Sequence, residues 1–197
     1  MFKTLSISIA VALVSFAAGL SAQTTEPADS FKVDYFSGAH CAGLPDGTVR
    51  ITNDGTNTGP SNPSGDMIVG IFVFDPNQEL TECCACEITP DGLLTLSINN
   101  DLTHNPLTGH ILTSGVIKLV GAALSSTMSN ATPLPGIRAW ATHIHAGGVT
   151  TETAFSDATL SAGELKQLEQ ECTFIFNEGS GAGQCGCGAD GQAAPFK

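Results

Sequence analysis

The sequence predicts a mainly β protein, a β-sandwich with one C-terminal α-helix. Three observations carry this expectation. Short apolar or alternating segments recur between turns built from Gly, Pro, Asn and Asp. One of them, Met67–Phe74 (MIVGIFVF), is apolar throughout, as a central strand covered on both faces requires. Only residues 162–176 place apolar side chains at helical spacing along one full face. With 197 residues, 42% hydrophobic and 13% charged, the chain has material for one core rather than two.

The segments follow in order. Residues 1–22, MFKTLSISIAVALVSFAAGLSA, combine Lys3 with an apolar run from Ile7 to Leu20 and a small-residue end. That is the pattern of a secretory signal peptide, with cleavage expected after Ala22 and Gly19 and Ser21 as alternative sites, and the run is shorter than the roughly 20 apolar residues of a membrane span. Residues 23–30 (QTTEPADS) read as a flexible lead, residues 31–178 as the sandwich domain and residues 179–197 as a Gly-rich, Cys-containing tail. Expected strands are 31–36, 48–52 (Val49 and Ile51 on one face), 67–74, 80–88, 93–98 (alternating Leu94, Leu96, Ile98), 116–120 and 137–145. Pro-Asp-Gly turns precede 48–52 and 93–98. The helix has Ser161 as its cap, Glu164 to complete a capping box and Leu160 to pack on Leu165. Leu165, Leu168, Cys172 and Ile175 share its buried face, and Gly179-Ser180-Gly181 ends it.

Seven cysteines, Cys41, Cys83, Cys84, Cys86, Cys172, Cys185 and Cys187, dominate the chemistry. Strand alternation in 80–88 puts Cys84 and Cys86 on one face and Cys83 on the other. Cys185 and Cys187 repeat the same spacing, so the two pairs brought together give either two parallel disulfides or a four-thiolate metal site. Cys-x-Cys is not the usual structural zinc spacing, and a secreted chain meets an oxidising environment; disulfides are expected. Cys41, Cys83 and Cys172 are left for a third bridge; a Cys41–Cys172 link closes a very long loop worth about 4–5 kcal/mol in the chain-entropy model. An odd count leaves one thiol over, either buried or joining two chains. Cys83 and Cys86 stand at Cys-x-x-Cys spacing, but the cysteine between them and the lack of a βαβ context argue against a disulfide oxidoreductase.

Residues 139–145 place His143 and His145 on one strand face beside Ala139 and Ala141, a ligand pair suited to zinc or copper. A third ligand would come from His40, His104, His110 or a carboxylate. The competing reading is a solvated face opposite Trp140 and Ile144. Asp54, Asp75, Asp91 and Asp101 lie in turns of a composition that calcium loops use, although Asx turns form without an ion and the EF-hand spacing is missing. Neither His-Glu-x-x-His nor Gly-x-Ser-x-Gly occurs, so no complete catalytic motif stands in the chain. Asn130-Ala131-Thr132 is a glycosylation acceptor pattern. Nineteen acidic against seven basic residues give a net charge of −12, which disfavours nucleic acid and anionic lipid as partners. Loss of residues 1–22 removes only Lys3 and leaves 6 basic against 19 acidic groups, a charge of −13.

The blocks CCAC at 83–86, SINNDLT at 97–103, AWATHIHA at 139–146 and ETAFSDATLSAGEL through CTFIFNEGSGAGQCGC at 152–187 resemble a group of secreted, cysteine-rich bacterial proteins. The resemblance covers most of the mature chain and implies secretion; the group brings no activity, cofactor or catalytic residue. TVRITNDGTNT at 48–58 is similar to immunoglobulin-like repeats of bacterial surface proteins, which implies an immunoglobulin-like sandwich. The expectation is therefore a secreted or extracytoplasmic, disulfide-stabilised, non-catalytic structural or binding protein. It is expected to assemble with itself or other surface proteins through a sheet edge or the lead. The alternative is an extracytoplasmic zinc or copper protein using His143, His145 and the Cys-x-Cys pairs.

Overall fold

The computed structural model describes residues 26–127 and 129–189 and the backbone of 192–193. The expected signal peptide, residues 23–25 of the lead and residues 190, 191 and 194–197 of the tail lie outside the described residues. Among the described residues, ten strands and one α-helix follow in the order β1 (Phe31–Ser37), β2 (Thr48–Asn53), β3 (Met67–Phe74), β4 (Leu80–Ile88), β5 (Leu93–Ser97), β6 (Ser114–Ala123), β7 (Ile137–Ile144), β8 (Thr150–Ala154), β9 (Ser156–Asp157), α1 (Ala162–Glu178) and β10 (Gln192–Ala193).

They build two antiparallel sheets, a six-stranded one ordered β10-β4-β3-β6-β1-β9 and a four-stranded one ordered β5-β2-β7-β8. The sheets face each other across one core, and α1 covers the outer face of the larger sheet over a second core. This layering explains the unbroken apolar run of β3. Met67, Val69, Ile71 and Val73 enter the core between the sheets, while Ile68, Phe72 and Phe74 enter the core under the helix.

The helix is fixed at both ends by local chemistry. Ser161 Oγ accepts the Glu164 N–H at 3.1 Å, and Gly179 closes the C-terminus at φ 67°, a left-handed conformation that suits glycine. Glu164 does not complete a capping box, because its carboxylate instead accepts Lys118 Nζ at 2.5 Å on β6. Leu165, Leu168, Cys172 and Ile175 form the buried stripe.

Several boundaries differ from the sequence expectation. Ile98 leaves the β5 line and opens a π-helical turn, Ile98–Leu102, capped by Ser97. The seventh strand ends at Ile144, so His145 lies beyond the ladder and leads into the turn Ala146–Gly148. Strands β8, β9 and β10 were not expected; the polar TTETA of β8 carries no apolar alternation and is specified by its hairpin with β7. The described part of the expected flexible lead is tied down. Glu26 N–H bonds to Leu160 O at 3.0 Å, Ser30 is buried, and Asp29 binds Lys32 and Arg138.

Candidate functional site

The C-terminal tail closes one side of the sandwich, and cysteine chemistry holds it there. Alternation along β4 sends Cys84 and Cys86 into the core between the sheets and Cys83 to the helix side. Cys84 bonds Cys185 and Cys86 bonds Cys187, two parallel bridges each spanning a sequence separation of 101. Cys83 bonds Cys172 on the buried stripe of α1. The third bridge therefore joins Cys83, not Cys41, to Cys172: Cys83 is the cysteine whose strand parity faces the helix, whereas Cys41 sits exposed in the β1–β2 connection with a free thiol. Around the bridges, Cys185 N–H bonds to Cys83 O at 3.2 Å and Gly186 N–H to Asp101 O at 2.7 Å. Strand β10 pairs with Cys86 and Glu87, and the tail covers the β4 edge. The Sγ atoms of Cys84, Cys86 and Cys187 lie within 4.8 Å of one another, the one such cluster of potential ligands among the described residues. All three sulfurs are committed to disulfides and present no thiolate.

The two histidines of β7 separate. His143 is 3% exposed and faces inward; its Nε2 stands 3.3 Å from Asp34 Oδ2 on β1, and the Tyr35 ring packs 4.4 Å away. With Nε2 donating to Asp34, Nδ1 is left buried without a hydrogen-bond partner. His145 is exposed and its Nε2 lies 2.8 Å from Thr151 Oγ1. The inward face is thus that of Ala139, Ala141 and His143, and the exposed face is that of Trp140, the reverse of the solvated-histidine reading. His40 bonds Thr103 Oγ1 at 2.9 Å, and His104 stands 3.6 Å from Glu82; neither they nor His110 join a three-ligand cluster with the pair.

Of the four turn aspartates, Asp75, Asp54 and Asp101 accept hydrogen bonds within their own loops. Asp75 Oδ1 accepts the N–H groups of Asn77 and Glu79, Asp54 Oδ1 accepts Thr56, and Asp101 Oδ2 accepts Ser97 N–H. Asp91 adopts φ 58° in the turn before β5.

One buried acid has no counterpart in the sequence reading. Glu82 on β4 is fully buried; Oε1 accepts the Asn105 N–H at 2.9 Å and Oε2 has no hydrogen-bond partner. Burial pushes its carboxyl up to about 7, against a smaller lowering from the Asn105 N–H. At the opposite edge, burial tends to raise Asp29, yet hydrogen bonds from Lys32 and Arg138 hold its carboxyl below the ordinary value. The same contact with Asp29 raises Arg138.

The remaining side of the small sheet is open. Strand β8 is exposed at every residue and pairs only with β7 among the described residues. His145 N–H bonds to Val149 O and Phe155 N–H to Ala139 O, so in this register Thr151 and Thr153 also bond towards β7. The N–H and C=O groups of Thr150, Glu152 and Ala154 then point away from the sheet. On the outer face of the sheet lie Leu93, Trp140 and both arginines of the chain. Arg50 Nη1 stands 3.0 Å from Glu152 Oε1, and Arg138 Nη2 stands 3.2 Å from Asp54 Oδ2. No protein-family model, curated protein or solved structure matches the chain.

Proposed function

We propose that the chain is a secreted structural or binding module that works outside the cytoplasm without catalysing a reaction, and that it pairs with a second copy of itself through the free edge of β8. Three disulfides support an extracytoplasmic setting, where such bonds persist. No described helix is long and apolar enough to cross a membrane. The observation that carries the interaction surface is the contrast between edges. The tail covers β4 and β9 covers part of β1, whereas β8 offers outward backbone groups over five residues. Its sequence holds no Pro and no Lys, and its one charge, Glu152, faces Arg50; the devices that usually protect an edge strand are missing from it. Main-chain pairing with a second strand follows naturally there.

Sedimentation velocity over a concentration series tests this. The oxidised protein is expected to self-associate, and Glu152→Pro, which removes one outward N–H and leaves the β7 ladder intact, is expected to stay monomeric with unchanged circular dichroism. A wild-type protein that is monomeric at every concentration overturns the proposed pairing.

A further inference from the structure

Residues 103–107 form a strap laid across the start of β4 and the C-terminal tail. Leu107 N–H bonds to Thr81 O at 3.1 Å, Asn105 Nδ2 donates to Gly181 O at 2.5 Å, and Gly183 N–H bonds to Asn105 O at 2.5 Å. Gly183 in turn accepts the Cys83 N–H at 2.8 Å. It is glycine for cause: at φ 78° a Cβ would sit 2.9 Å from Ile175 and 3.1 Å from Thr81 O. The strap is rooted at Thr103, whose hydroxyl donates to Ile98 O at 2.6 Å and meets His40 Nε2 at 2.9 Å.

Beneath it lies Glu82, with one oxygen bonded to the strap through Asn105 and the other unpartnered. His104 Nδ1, on the strap itself, is 3.6 Å from that second oxygen, and its side chain is 40% exposed. It is the one basic side chain within 4 Å of the Glu82 carboxyl among the described residues. β3 places the uncharged Val73 opposite Glu82, and the tail contributes Gly181 and Gly183.

We propose that this strap is a proton-controlled latch: it stays down while Glu82 is neutral and lifts when Glu82 ionises, uncovering the edge of β4 at Thr81. A carboxylate in this site holds one backbone N–H and a half-exposed imidazole, too little to replace its hydration. β4 cannot move to find water, because it sits in ladders with β3 and β10 and is bonded through Cys83, Cys84 and Cys86. The strap is held by the hydrogen bonds named above, a His40 Nε2 contact with Thr103 O at 3.2 Å and the partly buried Leu107, fewer ties than the ladders and bridges of β4, so lifting it is the least costly route to hydration.

The direction and size of the effect follow from linkage. A carboxyl raised from 4.5 to about 7 in the closed form favours closure most below pH 4.5 and loses that advantage as pH rises through 7. The opening constant is then expected to rise about 70-fold between about pH 5 and about pH 8. Hydrogen exchange by mass spectrometry on the oxidised full chain, corrected for intrinsic exchange rates, reads this directly in peptides covering 103–107 and 181–185. Peptides from β6 should not change. Glu82→Gln keeps the acceptor for Asn105 but cannot ionise, and should remove the pH dependence; His104→Gln should retain it, with the same or a larger rise. Equal protection at both pH values overturns the latch. So does pH dependence that survives in Glu82→Gln, or a parallel rise in β6, which would mean global unfolding.

Discussion

Cys41 differs from the other six cysteines in its surroundings: it projects from an exposed connection, while the sulfurs of the others meet in pairs inside two cores. Alkylation of the unreduced protein under denaturing conditions should therefore add one adduct, on the peptide containing Cys41; an adduct on Cys83 or Cys172 would contradict the third bridge. The two histidines of β7 should part in the same way. His143→Ala empties a buried site and leaves Asp34 with only the Tyr35 N–H, and should cost about 2–4 kcal/mol in denaturant unfolding. His145→Ala removes a surface contact to Thr151 and should stay within about 0.5 kcal/mol. Equal costs for the two would mean that the inward placement of His143 is wrong. Their shared parity was legible in the sequence, but parity alone does not say which face is inward. That is decided by the opposing sheet, against which Ala139 and Ala141 leave room for an imidazole.

At the scale of elements, the tail and β4 are joined by two bridges that close nearly the same loop. With Cys83–Cys172 in place, the first of them closes a ring of about 15 residues, worth about 3 kcal/mol on the chain-entropy account, and the second a ring of about six, worth about 2 kcal/mol. Removing Cys84–Cys185 or Cys86–Cys187 alone should cost about 2 kcal/mol, and removing both about 5 kcal/mol. Urea midpoints of the two single-bridge variants and the double variant check this, and a double variant that costs no more than either single one would contradict it. Much of this architecture could be read in advance from β3, from the cysteine parity of β4 and from the Ser161-capped helix, because each is dictated by local alternation or capping. Strand β8 could not, since TTETA has no apolar pattern and owes its conformation to β7. Glu82 shares the parity of Cys84 and Cys86 in LTECCACEI, so its inward direction was legible; its contact with the strap, more than twenty residues away in sequence, was not.

At the scale of the molecule, charge and shape set opposing demands. A net charge of −12 makes two copies repel, while the open β8 edge offers neutral backbone groups that pair without regard to charge. Glu152 is the one acid on that strand and is already matched by Arg50, so pairing there brings together few fixed charges beyond the overall field. Screening weakens that field, whose reach falls from about 30 Å at about 0.01 M salt to about 8 Å at about 0.15 M. Self-association is therefore expected to strengthen as salt rises over this range, seen as a larger weight-average sedimentation coefficient at fixed protein concentration. An interface built on ion pairs between copies, with Arg50 and Glu152 exchanging partners, would respond in the opposite sense, because screening weakens attraction as well as repulsion. A coefficient that falls with salt would thus remove main-chain edge pairing as the basis of assembly and move the contact to the charged outer face of the small sheet.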